Sequence, residues 1–116
     1  VSIHINSVDN APNANGTEVY YADSNNGNAY GTTSEKLATN ILNRMLYYMG
    51  STNRGVKTAE HAVTKRCEMP AALTEVGFIT NPTEVYNMTT DEYQYKAAQG
   101  IAEGIMITLK DINVPQ

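Results

Sequence analysis

The chain has 116 residues, 41% of them apolar and 17% charged, which suits one packed domain and is too apolar for a disordered tail. Its net charge of −4 gives no basic footprint for nucleic acid or an anionic membrane surface, and no apolar run approaches the roughly 20 residues that span a bilayer. The one cysteine, Cys67, cannot close an internal disulfide and lacks the paired spacing of a structural zinc knuckle.

Taken in chain order, the elements alternate as in an α/β domain. Val1, Ile3 and Ile5 fall on one face of the opening segment, with Ser2, His4 and Asn6 on the other, the period of a half-buried strand. Residues 7–17, rich in Asn, Asp, Pro and Gly, read as a loop, residues 18–21 as a short strand and residues 22–33 as a second loop. Thr32 with Glu35 three residues on makes a capping box. The helix after it carries Leu37, Ile41, Leu42, Met45, Leu46 and Met49 on one apolar stripe, and Gly50 is its left-handed stop. Residues 53–57 read as a polar turn, followed by a weak helical segment around 62–66 and a strand opened by Pro70. Asn81, Pro82 and Glu84 start another helix as cap, first and third residues. A final helix is predicted over residues 90–111, with Ala97, Ala98, Ile101, Ile105 and Leu109 on its apolar side. Gly100 and Gly104 within it cost about 1 kcal/mol each relative to Ala, which points to close packing against the sheet, with plain tolerance as the equal alternative.

Chemistry concentrates in two of these strands. Glu75 is a carboxylate inside an otherwise apolar strand, and burying an unpaired charge is costly, so it calls for a metal, a water held by a metal, or a basic group. His4, on the polar face of the opening strand, is the matching half. The plainer readings are a half-exposed strand carboxylate and a strand histidine bonded to a neighbour. Glu18 is a candidate to orient a metal-bound histidine from behind, and a solvent-facing strand residue fits it equally. Tyr20, Tyr21 and Tyr30 are candidates for stacking on sugar or peptide, with packing the commoner role of such residues. Arg54 and Lys57 fit a solvated turn better than contacts to an anionic polymer. His61 reads as structural.

Five stretches carry a resemblance. They are Ser2-Ile3-His4-x-Asn6, Asn15-Gly16-x-Glu18-x-Tyr20-Tyr21, Leu37-Ala38, Arg54-Gly55-Val56-Lys57, and Met69-Pro70-x-x-Leu73-x-Glu75-x-Gly77-Phe78-x-x-Asn81-Pro82-x-Glu84. In this order the chain resembles the zinc-dependent N-acetylmuramoyl-L-alanine amidases, cell-wall hydrolases of bacteria and phages. The resemblance implies a twisted mixed sheet flanked by helices. It also implies cleavage of the amide between the lactyl group of N-acetylmuramic acid and the first L-alanine of the stem peptide. His4 matches the family's second zinc histidine, and Glu75 matches the catalytic glutamate that is not a ligand. In that chemistry zinc lowers the pKa of its bound water to about 7, and the carboxylate accepts its proton and passes one to the leaving amine.

The family's first zinc histidine, in a Gly-His-Gly-Gly turn, and its glutamate ligand have no counterpart in these 116 residues. A catalytic zinc takes about three protein ligands. Residues 1–116 are therefore expected to be the C-terminal portion of a single amidase-like catalytic domain, N-terminally incomplete and inactive alone. Its open sheet edge would invite association of copies, poor solubility or partial disorder. The expected partner is peptidoglycan and the expected cofactor Zn2+, acting extracytoplasmically at the cell wall or on release at lysis. Two alternatives stand beside this reading. One is a non-catalytic fragment that binds cell wall or is completed by a partner chain; the other is a self-contained centre of His4, His61 and a carboxylate.

Overall fold

The computed structural model describes residues 1–27 and 31–112, so Tyr30 lies outside the described residues. Four strands, β1 (Ser2–Asn6), β2 (Thr17–Tyr21), β3 (Asn53–Thr58) and β4 (Leu73–Phe78), make one sheet in the order β1-β4-β2-β3. β1 runs parallel to β4 and β2 parallel to β3, while β2 and β4 are antiparallel. The helices are α1 (Ser34–Met49), α2 (Ala62–Lys65), α3 (Pro82–Met88) and α4 (Asp91–Leu109). This is the α/β mixed sheet with flanking helices that the family resemblance implies.

Alternation along β2 and β4 decides which face is core. Val19, Tyr21 and Val76 turn inward and are buried with Leu37, Ala38, Ile41, Leu42 and Met45 of α1 and Ala97 and Ile101 of α4. Each large aliphatic side chain so buried contributes roughly 1.5–3 kcal/mol. Glu18 and Glu75 take the opposite parity, so the chemistry-bearing face is the one turned away from α1.

Helix ends follow their capping residues. α1 begins one residue later than its predicted box: Thr33 has the extended backbone of a cap, and its hydroxyl accepts from the Lys36 amide at 3.1 Å. Thr32 is buried instead. Gly50 ends the helix in the left-handed region, at φ 66°, and donates its N–H to the Leu46 carbonyl. Asn81 caps α3 as expected, accepting from the Glu84 amide at 3.0 Å. Glu84 does more than sit in a first turn. Its buried carboxylate accepts from the amides of Gly16 and Phe78, pinning the loop before β2 to the end of β4.

Three expectations are corrected. Residues 53–57 are not a turn but part of β3, an edge strand with one neighbour; it is polar because Arg54 and Lys57 reach across to Glu18. Gly100 and Gly104 do pack closely, but against α1 rather than the sheet. A Cβ at Gly104 would lie 2.4 Å from Ile41 Cα, and one at Gly100 2.5 Å from Met45 Cα. The opening strand is not half-buried: β1 lies at the other sheet edge, with Ile3 62% and Ile5 49% exposed beside an open apolar groove that Ala97 and Ile101 help to line.

Candidate active site

Strand pairing brings the two sequence-predicted residues together. In the parallel β1–β4 ladder His4 is the register partner of Glu75, and in the antiparallel β2–β4 ladder Glu75 pairs with Glu18. Register partners share a face, so an imidazole and two carboxylates stand side by side across three strands. His4 is exposed, and Ser2 Oγ lies 2.8 Å from its Nε2, which holds the ring by one nitrogen.

Glu75 differs from its neighbours in being unsatisfied. Its Oε2 is buried and has no hydrogen-bond partner among the described residues. Burial lifts its pKa above the ordinary carboxylate value, and Glu18 pushes the same way, while His4 and His61 pull against them. An acid so placed is poised to take a proton.

Glu18, by contrast, is saturated. Only 2% exposed, it accepts from Asn6 Nδ2 (2.9 Å) and the Tyr20 hydroxyl (2.9 Å) at one oxygen, and from Lys57 Nζ (2.5 Å) and Arg54 Nε (3.2 Å) at the other. These four partners, rather than His4, are what it holds. Burial tends to raise its pKa, but the bonds from Lys57, Tyr20 and Arg54 outweigh burial and leave it lowered. Tyr20 is correspondingly pushed up to about 12, by burial first and then by its bond to Glu18. Because the folded pKa of Glu18 lies below its unfolded value of 4.5, the stability it contributes is complete above that pH and lost as pH falls through the folded value. Urea melts of wild type and Glu18→Gln, at neutral pH and well below pH 4.5, check this. The wild type should lose the larger share of stability on acidification; equal losses would remove Glu18 from the acid response.

His61 lies at the same site. Its ring stands edge-on to Tyr20, centroids 5.3 Å apart, and its Nδ1 is buried with no partner among the described residues. Arg54, besides its ion pair, places its guanidinium over the Phe78 ring at 4.8 Å. Tyr20 and Asn6 were findable from strand parity, since each lies two residues from Glu18 or His4. Arg54, Lys57 and His61 carried no such signal.

The donor set suits a metal in part. An imidazole stands in register with a buried, unpaired carboxylate oxygen, which is the pairing that a metal centre and its proton acceptor need. Among the described residues, however, no three His, Cys, Asp or Glu side chains lie together where they could hold an ion. A self-contained centre of His4, His61 and a carboxylate is thus not assembled.

The class the fold defines is an α/β domain with a mixed four-stranded sheet, on which a carboxylate with an unpaired buried oxygen stands in register with a histidine. Residues 1–106 match the family model of the N-acetylmuramoyl-L-alanine amidases, and the chain belongs to that family. Over 90% of its length it is 37% identical to protein YqiI of Bacillus subtilis (strain 168), covering 48% of that protein. To the N-acetylmuramoyl-L-alanine amidase LytC of the same organism it is 36% identical over 90% of its length, covering 20% of LytC. The solved structure of the N-acetylmuramoyl-L-alanine amidase AmiC2 of Nostoc punctiforme superposes with a TM-score of 0.82 at 37% identity, over 94% of this chain and 56% of that one. The chain therefore spans about half or less of the relatives it matches.

Proposed function

We propose that this domain hydrolyses peptidoglycan at the amide between N-acetylmuramic acid and the L-alanine of the stem peptide, with Glu75 as general base and His4 as a zinc ligand. The observation that carries the reading is the in-register pairing of His4 with Glu75, whose buried Oε2 has no partner among the described residues. Glu75 takes the proton of the attacking water and returns one to the departing alanine amine. Burial keeps its pKa raised, so that the transfer is closer to balanced near neutral pH than for an ordinary carboxylate. Saturated by four donors, Glu18 keeps Tyr20, Arg54 and Lys57 in place around the site rather than exchanging protons. Zinc, when bound, would supply Lewis-acid chemistry, acidifying water and polarising the scissile carbonyl. His4 would give one of its ligands, and no set of three donors is gathered around it among the described residues. Activity of this kind is exerted at the cell wall, outside the cytoplasm or on release at lysis.

Zinc content tests the ligand assignment. The 116-residue chain alone should hold zinc weakly, whereas the complete protein should bind it near one to one and lose most of it on His4→Ala. Undiminished zinc in that variant, measured by metal analysis after dialysis, would end the assignment of His4.

A further inference from the structure

A register shift in the β2–β3 ladder decides where the two cations of β3 point. Residues three apart in a regular strand face opposite sides of the sheet, so Arg54 and Lys57 should diverge. The ladder instead pairs Thr17 with Asn53 and Val19 with Val56, which sets one extra residue into β3 between the two pairs. Gly55 lies in that insertion at φ 89°, a backbone conformation that residues with a side chain rarely adopt. As a result Arg54 and Lys57 both reach Oε2 of Glu18, on the face that carries His4 and Glu75.

Two cations against one carboxylate leave a surplus positive charge. Neither Arg54 nor Lys57 has a second acidic partner among the described residues. Glu18 needs only one of them for charge balance, and its other oxygen is already met by Asn6 and Tyr20. Donors are in surplus as well. Lys57 gives Glu18 one of its three N–H bonds. Arg54 gives Nε to Glu18 and Nη1 to the Asn15 carbonyl at 3.4 Å, which leaves Nη2 without a protein partner among the described residues. The two side chains are 35% and 40% exposed, so a ligand meets them directly from solvent and needs no cavity to do so. The Phe78 ring beneath the guanidinium, at 4.8 Å, holds its plane. An accessible, pre-positioned pair of cations is a receptor for a carboxylate.

Place on the sheet decides which part of a substrate would meet them. Glu18 stands one strand spacing, about 5 Å, from Glu75, and the two cations approach it from β3 on its far side. An extended peptide advances about 3.5 Å per residue, so a group two residues from a bond held at Glu75 falls about 7 Å away, within their reach. We propose that Arg54 and Lys57 are specificity-determining residues that receive the carboxylate of an acidic residue next after the L-alanine of the stem, laid across the strands from His4 toward β3. The proposal rests on the amidase reading above and adds to it a preference for the free acid over its carboxamide.

The test uses the complete zinc-loaded protein and two soluble muramoyl-L-alanyl peptides as probes. They differ only in the residue after the alanine, which carries a free carboxylate in one and a carboxamide in the other. Wild type should cleave the acid with a kcat/KM about tenfold higher, the scale of one charge-assisted hydrogen bond. Lys57→Met and Arg54→Gln should each bring that ratio close to one, while Lys57→Arg, which keeps the charge, should retain most of it. A merely structural role, through loosening of Glu18, would slow both probes together and leave the ratio intact. That result, or a ratio of one in wild type, overturns the proposal. The wild-type ratio needs no variant, so the test stands even where one fails to fold. A wild type that cleaves neither probe overturns the amidase reading and this inference with it; one that cleaves both equally well overturns this inference alone.

Discussion

Glu75→Gln, made in a complete zinc-loaded protein containing this domain, should lower turnover of muramoyl peptide by about a hundred- to ten-thousandfold and leave the zinc in place. Gln matches Glu in shape, so contacts along β4 persist, but its amide cannot accept a proton at neutral pH. Stability separates this from damage to the fold. Burial raises the folded pKa of Glu75, so its charged form opposes folding as pH rises through that value. Its neighbour across the β2–β4 ladder is another carboxylate, Glu18. Removing the charge should therefore leave the melting temperature at neutral pH unchanged or higher. The readouts are release of muramoyl lactyl groups and alanine amines, zinc content, and a thermal melt. Turnover near the wild-type level would remove Glu75 from the mechanism.

The second large effect concerns the scaffold. Gly104→Ala gains about 1 kcal/mol of helix propensity at an exposed helical site. Here the new methyl would stand 2.4 Å from Ile41 Cα and 2.6 Å from Ile41 N, both backbone atoms, which give way only if α1 and α4 separate. Overpacking of this kind costs typically 1–3 kcal/mol and removes other buried contacts between the helices, so the clash wins. Gly104→Val should destabilise further, through added bulk and β-branching. Ala102→Gly, on the exposed side of the same helix, isolates the propensity term and should lose roughly 0.5–1 kcal/mol. Chemical denaturation of the three variants checks the ranking. A Gly104→Ala protein more stable than wild type would show that the α1–α4 contact tolerates a methyl.

What could be read from the amino acids depended on periodicity. Glu75 stood out as a charge inside an apolar strand and His4 as an imidazole on the polar face of an alternating one, and the apolar stripe of α1 and the cap at Asn81 carry local signals of their own. The register that sets His4 opposite Glu75 leaves no local trace, since the partners lie about 70 residues apart and pair in parallel. β3 was hidden for another reason. An edge strand whose cations serve a buried acid has the composition of a turn. His61 precedes a four-residue helix, too short to give a period, so its place beside Tyr20 emerges only from tertiary structure. The two glycines of α4 announced close packing, while the surface they pack on depended on how the helices are layered.

The parallel ladder between the first and last strands also governs the order of assembly. β2, α1 and β3 are neighbours in sequence and can condense early, whereas β1 pairs only with β4, about 70 residues further along the chain. Among the described residues β1 pairs with β4 alone, so that ladder is what keeps His4 beside Glu75. Opening of that ladder would part the two side chains. A ligand bridging both strands would act as a suture, trading its own binding free energy for closure of the rim.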